Sequence, residues 1–312
     1  MSYVVTGGCG FIGSNFANML SSIVDEDILI FDKMTYAAST NNIIDSPNIR
    51  LLVGDLANDT DTLNNIFEHN TINGVFHFAA ESHVDNSITS PKHFIDANIV
   101  GTFNLLEAVR NHGNCRMLHV STDEVYGALD HDGPSFLETK LLEPNNVYSA
   151  SKASSDLLVR SYCKTYGLNI VTTRCCNNYG PRQHVEKLIP KVISNALQDQ
   201  NIPVYGSGDN VREWIYVKDH CRAIWDVFSL GKSCETYNIG TGKETSNLDL
   251  VKSILKVLEK PYNLIKFVKD RPGHDFRYSI DSSKFMNLVC DFNFTDFDYG
   301  IAETVEWYKK CS

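Results

Sequence analysis

A glycine-rich segment near the start of the chain, residues 6–13 with the sequence TGGCGFIG, constrains the fold more strongly than any other feature. It follows the apolar run SYVVT and precedes a helical pattern that begins at Phe11. Its glycines satisfy both GxGxxG and GxxGxxG, the second through Gly7, Gly10 and Gly13. Such glycines permit a tight turn and let the backbone approach a pyrophosphate at the positively polarised N-terminus of a helix. The order of strand, glycine turn and helix therefore predicts a dinucleotide-binding site.

Asp32 ends the second predicted strand, 19 residues after the last of these glycines. A carboxylate at this point accepts hydrogen bonds from the adenosine ribose and repels a 2′-phosphate, so the sequence favours NAD over NADP as cofactor. The adjacent Lys33 weakens that preference. We expect Asp55, which follows the third strand, to lie near the adenine. The small residues 79–80 after the fourth strand leave room for the dinucleotide.

Short β-rich runs alternate with longer helical patterns, which predicts a Rossmann-like α/β fold with a doubly wound parallel sheet. The predicted strands cover residues 2–6, 27–32, 49–53, 74–79 and 116–121, and the predicted helices begin at Phe11, Asp59, Pro91 and Val147. After about residue 176 the pattern is less regular, which indicates a smaller C-terminal substrate lobe. We expect an NAD-binding domain of residues 1–176 plus roughly 213–240, and a substrate-binding lobe of residues 177–212 and 241–312.

The composition narrows the class of protein further. Lys and Arg total 28 and Asp and Glu total 38, and the resulting net charge of -10 disfavours binding to nucleic acid or anionic lipid. The sequence shows no cleavable leader and no apolar run of bilayer length. Nine cysteines lack CxxC and zinc-type spacing, so we expect reduced thiols and no metal site. These features predict a soluble, cytoplasmic protein.

Tyr148 and Lys152 have the i, i+4 spacing that places two side chains on one face of a helix. A tyrosine is a poor base at neutral pH, but an adjacent ammonium and a nicotinamide cation favour its phenolate. The pair is therefore a candidate for removing a hydroxyl proton as hydride leaves the same carbon.

Asp123 and Glu124 follow the fifth predicted strand, at the edge where parallel sheets bind ligands. Neighbours in a regular strand point to opposite faces, so both carboxyl groups reach one site only if the chain turns there, as Gly127 allows. Two carboxyl groups in a cleft can be driven to different pKa values, one acting as an acid and one as a base. Elimination of water needs that division.

These motifs, together with FAAESHVDNSI, CCNNYGP, EKLIP, REWIYVKDH and RPGHDFRY, resemble the nucleotide-sugar 4,6-dehydratases, a family of extended short-chain dehydrogenases. The resemblance runs from about residue 2 to Tyr308. It implies a hydro-lyase of deoxysugar biosynthesis, such as that of rhamnose, with NAD reduced and reoxidised in each turnover. It also implies a nucleoside-diphosphate glucose substrate, either dTDP-glucose or UDP-glucose, and a homodimer formed through helices near residues 91–111 and 147–166.

The resemblance also implies a role for each catalytic candidate. Tyr148 deprotonates the sugar 4-hydroxyl, Lys152 supports the phenolate and Thr122 bonds the 4-oxygen. Glu124 then removes the C5 proton, and Asp123 protonates the departing 6-hydroxyl.

The remaining expected contacts divide between cofactor and substrate. With the three glycines, the positions that match NAD contacts are Phe11, Ile12, Asp32, Lys33, Met34, Thr35, Asp55, Leu56, Phe78, Ala79, Ala80, Ser82, Tyr148, Lys152 and Asn178. Those that match nucleotide-sugar contacts are Ser82, Thr122, Asn177, Lys187, Leu188, Pro203, Val204, Tyr205, Arg212, Asn247, Asp270, Arg271, Pro272, Gly273 and His274.

Three other functions share part of this pattern. A nucleotide-sugar 4-epimerase needs the glycine loop and the Tyr/Lys pair but no acid to expel the 6-hydroxyl, and a nucleotide-sugar decarboxylase often has the glutamate without the preceding aspartate. Asp123 beside Glu124 disfavours both. A non-catalytic NAD-sensing module would not need Tyr148 or Lys152, and both are present.

Overall fold

The computed structural model describes residues 1–112, 115–270 and 275–311. Strands within these residues are β1 (Ser2–Thr6), β2 (Asp27–Asp32), β3 (Ile49–Val53), β4 (Ile72–His77), β5 (Arg116–Thr122), β6 (Ile170–Cys175), β7 (Asn177–Tyr179), β8 (Ile202–Tyr205), β9 (Val211–Tyr216), β10 (Thr236–Ile239), β11 (Glu244–Ser246) and β12 (Ile265–Val268). The α-helices are α1 (Phe11–Ser21), α2 (Thr60–His69), α3 (Val84–Thr89), α4 (Pro91–Phe94), α5 (Gly101–His112), α6 (Val147–Tyr166), α7 (Leu188–Leu197), α8 (Val217–Leu230), α9 (Asn247–Val257), α10 (Ser283–Leu288) and α11 (Phe297–Cys311). A π-helical segment, Ile95–Val100, joins α4 to α5.

A seven-stranded sheet with the order β10-β6-β5-β4-β1-β2-β3 forms the centre of the molecule, and every adjacent pair is parallel. Strands β2 and β6 are buried along almost their whole length, as expected for a parallel sheet covered on both faces. The predicted α/β, doubly wound class is confirmed.

The two faces of the sheet pack against different helices. One hydrophobic cluster joins the sheet to α1 and α8 through residues such as Phe16 and Phe228. The other joins it to α2, α5 and α6 through residues such as Leu63, Leu105 and Val159. Because each face has its own helical layer, the carboxyl ends of the strands stay open as a shared edge.

Most predicted bounds match the structure closely. The fourth strand begins at Ile72 and ends at His77, two residues earlier than predicted at each end. The second helix begins at Thr60 because Asp59 is its N-cap, with Oδ1 accepting a hydrogen bond from the N–H of Thr62 at 3.4 Å. Local capping thus explains a one-residue difference in the helix start.

The C-terminal half adds two small sheets, β11-β9-β7 and β12-β8. A third hydrophobic cluster joins them to α7, α9 and α11 through residues such as Ile193, Val251 and Val305. The division into a cofactor domain and a substrate lobe at the stated residues stays a prediction. Within the described residues, no helix has the length and apolar character needed to cross a membrane.

Phe76, on the central strand β4, is fully buried, and its ring centroid lies 4.4 Å from those of Phe16 and Phe228. We predict that Phe76→Ala lowers the free energy of unfolding by about 3–5 kcal/mol, because it leaves a cavity in the centre of the sheet. Urea denaturation measures the change. Phe267→Ala, at an exposed position, is the matched control and should change stability by less than about 0.5 kcal/mol. Equal losses in both variants would contradict this account of the core.

Candidate active site

The carboxyl ends of the parallel strands border a cavity of about 300 Å³. The strand order reverses between β1 and β4, which creates the crevice where open α/β sheets bind ligands. The walls of the cavity come from the loop after β1, the segments that follow β2 to β6 and the start of α6. This cavity is the candidate active site.

The segment from the end of β1 to the first turn of α1 is too closely packed for side chains at two of its glycines. Gly7 has a φ of +68°, and a Cβ there would lie 2.7 Å from the Cα of Ala79. A Cβ on Gly13 would lie 2.3 Å from the carbonyl oxygen of Gly7. Gly10 is the N-cap of α1 and makes no side-chain capping bond, so the N–H groups of the first turn suit an anion such as a pyrophosphate.

Asp32 is held at the end of β2 by two backbone hydrogen bonds. Its Oδ2 accepts from the N–H of Cys9 at 2.9 Å, and its Oδ1 accepts from the N–H of Met34 at 2.8 Å. The ammonium of Lys33 lies 3.3 Å from the carboxylate of Glu81. Because that pairing offsets the positive charge of Lys33, the geometry favours NAD over a cofactor with a 2′-phosphate.

The chain turns directly after β5 into a 3₁₀ helix, Asp123–Tyr126. Thr122 caps this turn, since its Oγ1 accepts a hydrogen bond from the N–H of Glu124 at 3.3 Å. Gly127 ends it with a φ of +88°. The predicted turn is confirmed, and the side chains of both Asp123 and Glu124 line the cavity.

Asp123 is only 2% exposed. Burial raises the pKa of its carboxyl group well above the usual range, and the negative charges of Glu124 and Glu213 raise it further. Its Oδ1 accepts a hydrogen bond from Thr122 at 3.2 Å, and its buried Oδ2 has no partner among the described residues. The raised pKa favours the protonated form of Asp123, the form that a general acid needs.

Tyr148 lies in the first turn of α6, which begins where the side chain of Asn146 accepts the N–H of Ser149 at 2.9 Å. Burial raises the pKa of the Tyr148 phenol well above its usual range, and the nearby Glu124 raises it further. A hydrogen bond with Thr122 acts in the opposite direction. The chain alone thus keeps the phenol protonated, and the cationic nicotinamide invoked from the sequence is needed to lower this pKa.

Lys152 is buried one helical turn after Tyr148, and both side chains line the cavity. Its Nζ donates a hydrogen bond to the carbonyl oxygen of Val120 at 2.9 Å. Burial lowers the pKa of this ammonium. The expected Tyr/Lys pair is therefore assembled on one helix face beside the paired carboxyl groups.

A directed chain of hydrogen bonds lies behind the cavity wall formed by Ala79. Thr102 donates to the carbonyl oxygen of Asn98 at 2.6 Å, so its oxygen accepts from Nε2 of His77 at 3.0 Å. Nδ1 of His77 then accepts from Thr6 at 2.7 Å, and the Thr6 oxygen accepts the N–H of Ala79 at 3.3 Å. His77 is consequently the neutral Nε2–H tautomer, and burial lowers its pKa well below the usual value.

The side chain of Asn98 extends this series of hydrogen bonds to helix α6. Its Oδ1 accepts from the N–H of Glu81 at 2.8 Å, and its Nδ2 donates to Oγ of Ser151 at 2.8 Å. Ser151 donates in turn to the carbonyl oxygen of Tyr148 at 2.7 Å. The cofactor loop and the first turn of α6 are thus connected through buried side chains.

The structure brings together most, but not all, of the predicted site residues. Those that line the cavity are Gly7, Gly10, Phe11, Ile12, Gly13, Asp32, Lys33, Thr35, Asp55, Leu56, Phe78, Ala79, Ala80, Ser82, Thr122, Asp123, Glu124, Tyr148, Lys152, Asn177, Asn178 and Lys187. Those outside its lining are Met34, Leu188, Pro203, Val204, Tyr205, Arg212, Asn247 and Asp270. The predicted substrate contacts Arg271, Pro272, Gly273 and His274 fall outside the described residues. The binding roles of all these residues remain predictions.

The resemblance places Arg212 among the expected nucleotide-sugar contacts. In the structure its Nη1 donates to the carbonyl oxygens of Val211 at 2.7 Å and Phe276 at 3.0 Å, and its Nη2 donates to that of Asp275 at 2.8 Å. The guanidinium also stacks over the ring of Tyr278, 4.5 Å from the centroid. Arg212 is therefore already engaged in holding the segment that follows residue 274.

Sequence reasoning missed several residues that line the cavity. They are Phe31, Ala37, Ala38, Gly54, Ala97, Val120, Ser121, Cys175, Cys176, Gln183, His184 and Glu186. Cys175 ends β6, so the rule that parallel strands bind ligands at their carboxyl ends identifies it. Residues 183–186 reach the cavity through a loop, and the sequence gives no comparable indication for them.

A doubly wound sheet, a glycine loop, an acid at the end of β2 and a Tyr/Lys pair define an extended short-chain dehydrogenase fold with a dinucleotide site. Residues 4–300 match the family model described as GDP-mannose 4,6 dehydratase, and the chain belongs to that family.

Individual relatives extend this comparison. The chain is 44% identical to dTDP-glucose 4,6-dehydratase 1 of Escherichia coli strain K12, over 99% of this chain and 92% of the relative. The crystal structure of the dTDP-glucose 4,6-dehydratase DesIV from Streptomyces venezuelae, with NAD and dTDP bound, has a TM-score of 0.95 at 43% identity and covers 99% of this chain and 97% of that one. The UDP-glucose 4-epimerase of Thermus thermophilus in complex with NAD has a TM-score of 0.92 at 26% identity, with both chains fully covered.

We predict that Glu124→Gln lowers the pKa of Asp123. The substitution removes the negative charge that most strongly opposes ionisation of that carboxyl group. A pH titration of the Asp123 carboxyl carbon by 13C NMR, assigned with Asp123→Asn, measures the change. Glu107→Gln, on α5 and bonded to Tyr162, is the matched control and leaves the titration unchanged. An Asp123 pKa that is the same in Glu124→Gln and in the unmodified protein would contradict the coupling.

Proposed function

We propose that this protein is a hydro-lyase that converts dTDP-glucose to its 4-keto-6-deoxy derivative with bound NAD. The observation that carries the proposal is the pair Asp123 and Glu124, which the turn after β5 directs into the same cavity as Tyr148 and Lys152. Oxidation of a hydroxyl group needs only the Tyr/Lys pair. Loss of water needs an acid and a base as well, and this cavity contains both.

The residues that would hold NAD fit its chemistry. The glycine loop and the start of α1 suit the pyrophosphate, and Asp32 is oriented toward a ribose by two backbone hydrogen bonds. Structures of dTDP-glucose 4,6-dehydratases with NAD bound support the choice of cofactor. When bound, NAD accepts a hydride from C4 of the sugar and later returns it to C6.

The chain's own residues handle the protons. Tyr148 removes the proton of the 4-hydroxyl, with Lys152 stabilising the phenolate and Thr122 bonding the 4-oxygen. The resulting ketone acidifies the C5 hydrogen, and Glu124 accepts that proton. Asp123, kept protonated by burial, gives its proton to the 6-hydroxyl, which leaves as water. Glu124 then returns its proton to C5 as the hydride reaches C6, so the reaction has no net redox change.

The thymidine form of the substrate is supported by the relatives that match almost the whole chain, which are named as dTDP-glucose 4,6-dehydratases. The methyl group that separates thymine from uracil contributes only about 1–3 kcal/mol in a hydrophobic pocket, so discrimination against UDP-glucose is expected to be limited.

We predict that the purified protein with NAD converts dTDP-glucose to a 4-keto-6-deoxy product, detected by NMR, and turns over UDP-glucose more slowly. Tyr148→Phe should reduce turnover by about 10²–10⁴-fold, since it removes the base for C4 oxidation. Asp123→Asn should slow water loss by a similar factor while C5 still exchanges with deuterium from the solvent, because Glu124 is intact.

Each alternative function gives a distinct outcome in the same assay. Formation of the galactose epimer without loss of the 6-hydroxyl would identify an epimerase. Bound NAD with no change in any sugar would identify a sensor. Normal turnover by Tyr148→Phe would show that the assigned base is wrong.

The proposal includes a homodimer formed through α5 and α6 with the segment that precedes them. Large apolar side chains are exposed on these elements at Ile95, Val100, Phe103 and Leu157. A stable interface needs an apolar centre of this kind.

The proposal also places the protein in the cytoplasm, which the free thiols of the described cysteines support.

We predict that Phe103→Glu combined with Leu157→Glu converts a dimer to a monomer, because each charge would be buried without a partner in the interface. Sedimentation velocity at micromolar concentration measures the change. Leu141→Glu, at an exposed position outside these helices, is the control and should remain dimeric. A monomeric unmodified protein, or a double variant that still dimerises, would contradict the proposed interface.

A further inference from the structure

A second group of buried ionisable side chains lies behind the catalytic pair. Helix α6 carries Asp156 four residues after Lys152, which places the two side chains on the same helix face. Both are buried, with 5% of each residue exposed. The charges of a buried carboxylate and a buried ammonium on one helix face influence each other, because water screens them only weakly.

The Lys152 ammonium needs such a partner to remain charged. Its Nζ donates a hydrogen bond to a neutral group, the carbonyl oxygen of Val120. Burial lowers the pKa of Lys152, and the negative charge of Asp156 is the largest effect that opposes this lowering. An ammonium that lost its proton could no longer stabilise the Tyr148 phenolate.

Asp156 is itself held in one orientation by two strands of the sheet. Its Oδ1 lies 3.1 Å from Nε2 of His119 on β5, and its Oδ2 accepts from Nε of Arg174 on β6 at 2.9 Å. Burial acts to raise the pKa of Asp156, but Arg174 and His119 outweigh it and lower the pKa to about 2. The carboxylate is therefore charged at neutral pH.

Arg174 is itself held in place on the side away from Asp156. Its Nη1 donates to the hydroxyl of Tyr126 at 2.8 Å, and its guanidinium carbon lies 4.8 Å from the ring centroid of that residue. The Tyr126 hydroxyl donates to Oδ1 of Asn238 at 2.7 Å. Both oxygens of Asp156 thus have defined partners, and the turn that carries Asp123 contributes one of the residues that orient them.

We propose that Asp156 is a positioning residue for the reaction: its carboxylate, oriented by His119 and Arg174, keeps the Lys152 ammonium charged beside the catalytic tyrosine. This inference rests on the proposed function of the Tyr148 and Lys152 pair. Asp156 does not line the cavity and acts only through Lys152.

The other titratable groups around Lys152 do not replace this anion. His77 on β4 and His119 on β5 both have pKa values lowered mainly by burial, so they are neutral at pH 7. Burial raises the pKa of the Cys175 thiol on β6 to about 12, which keeps it neutral as well. The phenolate of Tyr148 is the group that Lys152 would stabilise, and Arg174 carries a positive charge, so neither replaces the anion. Asp156 is therefore the negative charge that acts on Lys152.

The test isolates the step in which Lys152 acts. In the Asp123→Asn background, water loss is slow, so reduction of NAD by dTDP-glucose can be followed by absorbance as a single turnover. We expect Asp156→Asn in this background to move the alkaline limb of the pH–rate profile to lower pH, because Lys152 loses its proton more easily. The rate near pH 9 should fall about tenfold more than the rate near pH 7.

Three further variants separate this role from a structural one. Asp156→Asn leaves Arg174 buried without its anion, so Asp156→Asn with Arg174→Gln tests the same shift without that unpaired cation. Asp156→Glu keeps the negative charge and should restore the alkaline limb. Glu107→Gln removes a carboxylate on α5 that is bonded to Tyr162 and should leave the profile unchanged.

The result that overturns the inference is a pH profile for either Asp156→Asn variant that superimposes on that of Asp123→Asn alone. Failure of the proposed function is distinguishable, since Asp123→Asn would then show no reduction of NAD by dTDP-glucose at any pH. If Asp156→Asn does not fold, the double variant with Arg174→Gln decides the outcome.

Discussion

The change of direction at the end of β5 is the constraint on which the site depends. In an extended strand, Asp123 and Glu124 would point to opposite faces of the sheet, and one of them would enter the helical layer. The 3₁₀ turn capped by Thr122 removes that conflict. It places an acid and a base in one cavity, opposite a helix that supplies a second acid–base group. The same turn carries Tyr126, so it also helps to orient the charges behind that helix.

Burial has opposite consequences for the groups that surround this turn. It holds a proton on Asp123 and on Tyr148, and it favours loss of the proton from Lys152. Only the effect on Asp123 suits the proposed reaction without further charges. For Tyr148, the charge that opposes burial would come from the cofactor. For Lys152, it would come from the carboxylate of Asp156. The site is therefore an arrangement of compensating charges more than a collection of reactive groups.

The sequence predicted the parts of this structure that depend on local pattern. The strands at residues 2–6 and 27–32 and the helix at Val147 match because apolar spacing and capping residues act over a few positions. It did not predict the π-helical segment Ile95–Val100, where Asn98 bonds to Glu81 in a loop and to Ser151 on α6. Nor did it predict that Arg212 bonds the carbonyl groups of Asp275 and Phe276, since these lie more than sixty residues later in the chain. Contacts of this range are set by tertiary packing.

The directed chain through His77 also makes the fold sensitive to acid. Its ring is neutral in the folded protein with a pKa well below 6.5, whereas an unfolded chain binds a proton there near that value. As the pH falls through 6.5, His77 therefore binds a proton in the unfolded state but not in the native state, and the free energy of unfolding decreases. Forcing that proton onto Nδ1 would break the bond from Thr6 and, with it, the support of the wall at Ala79. Mild acidification thus weakens the scaffold of the dinucleotide pocket before it neutralises Asp156, whose pKa is about 2.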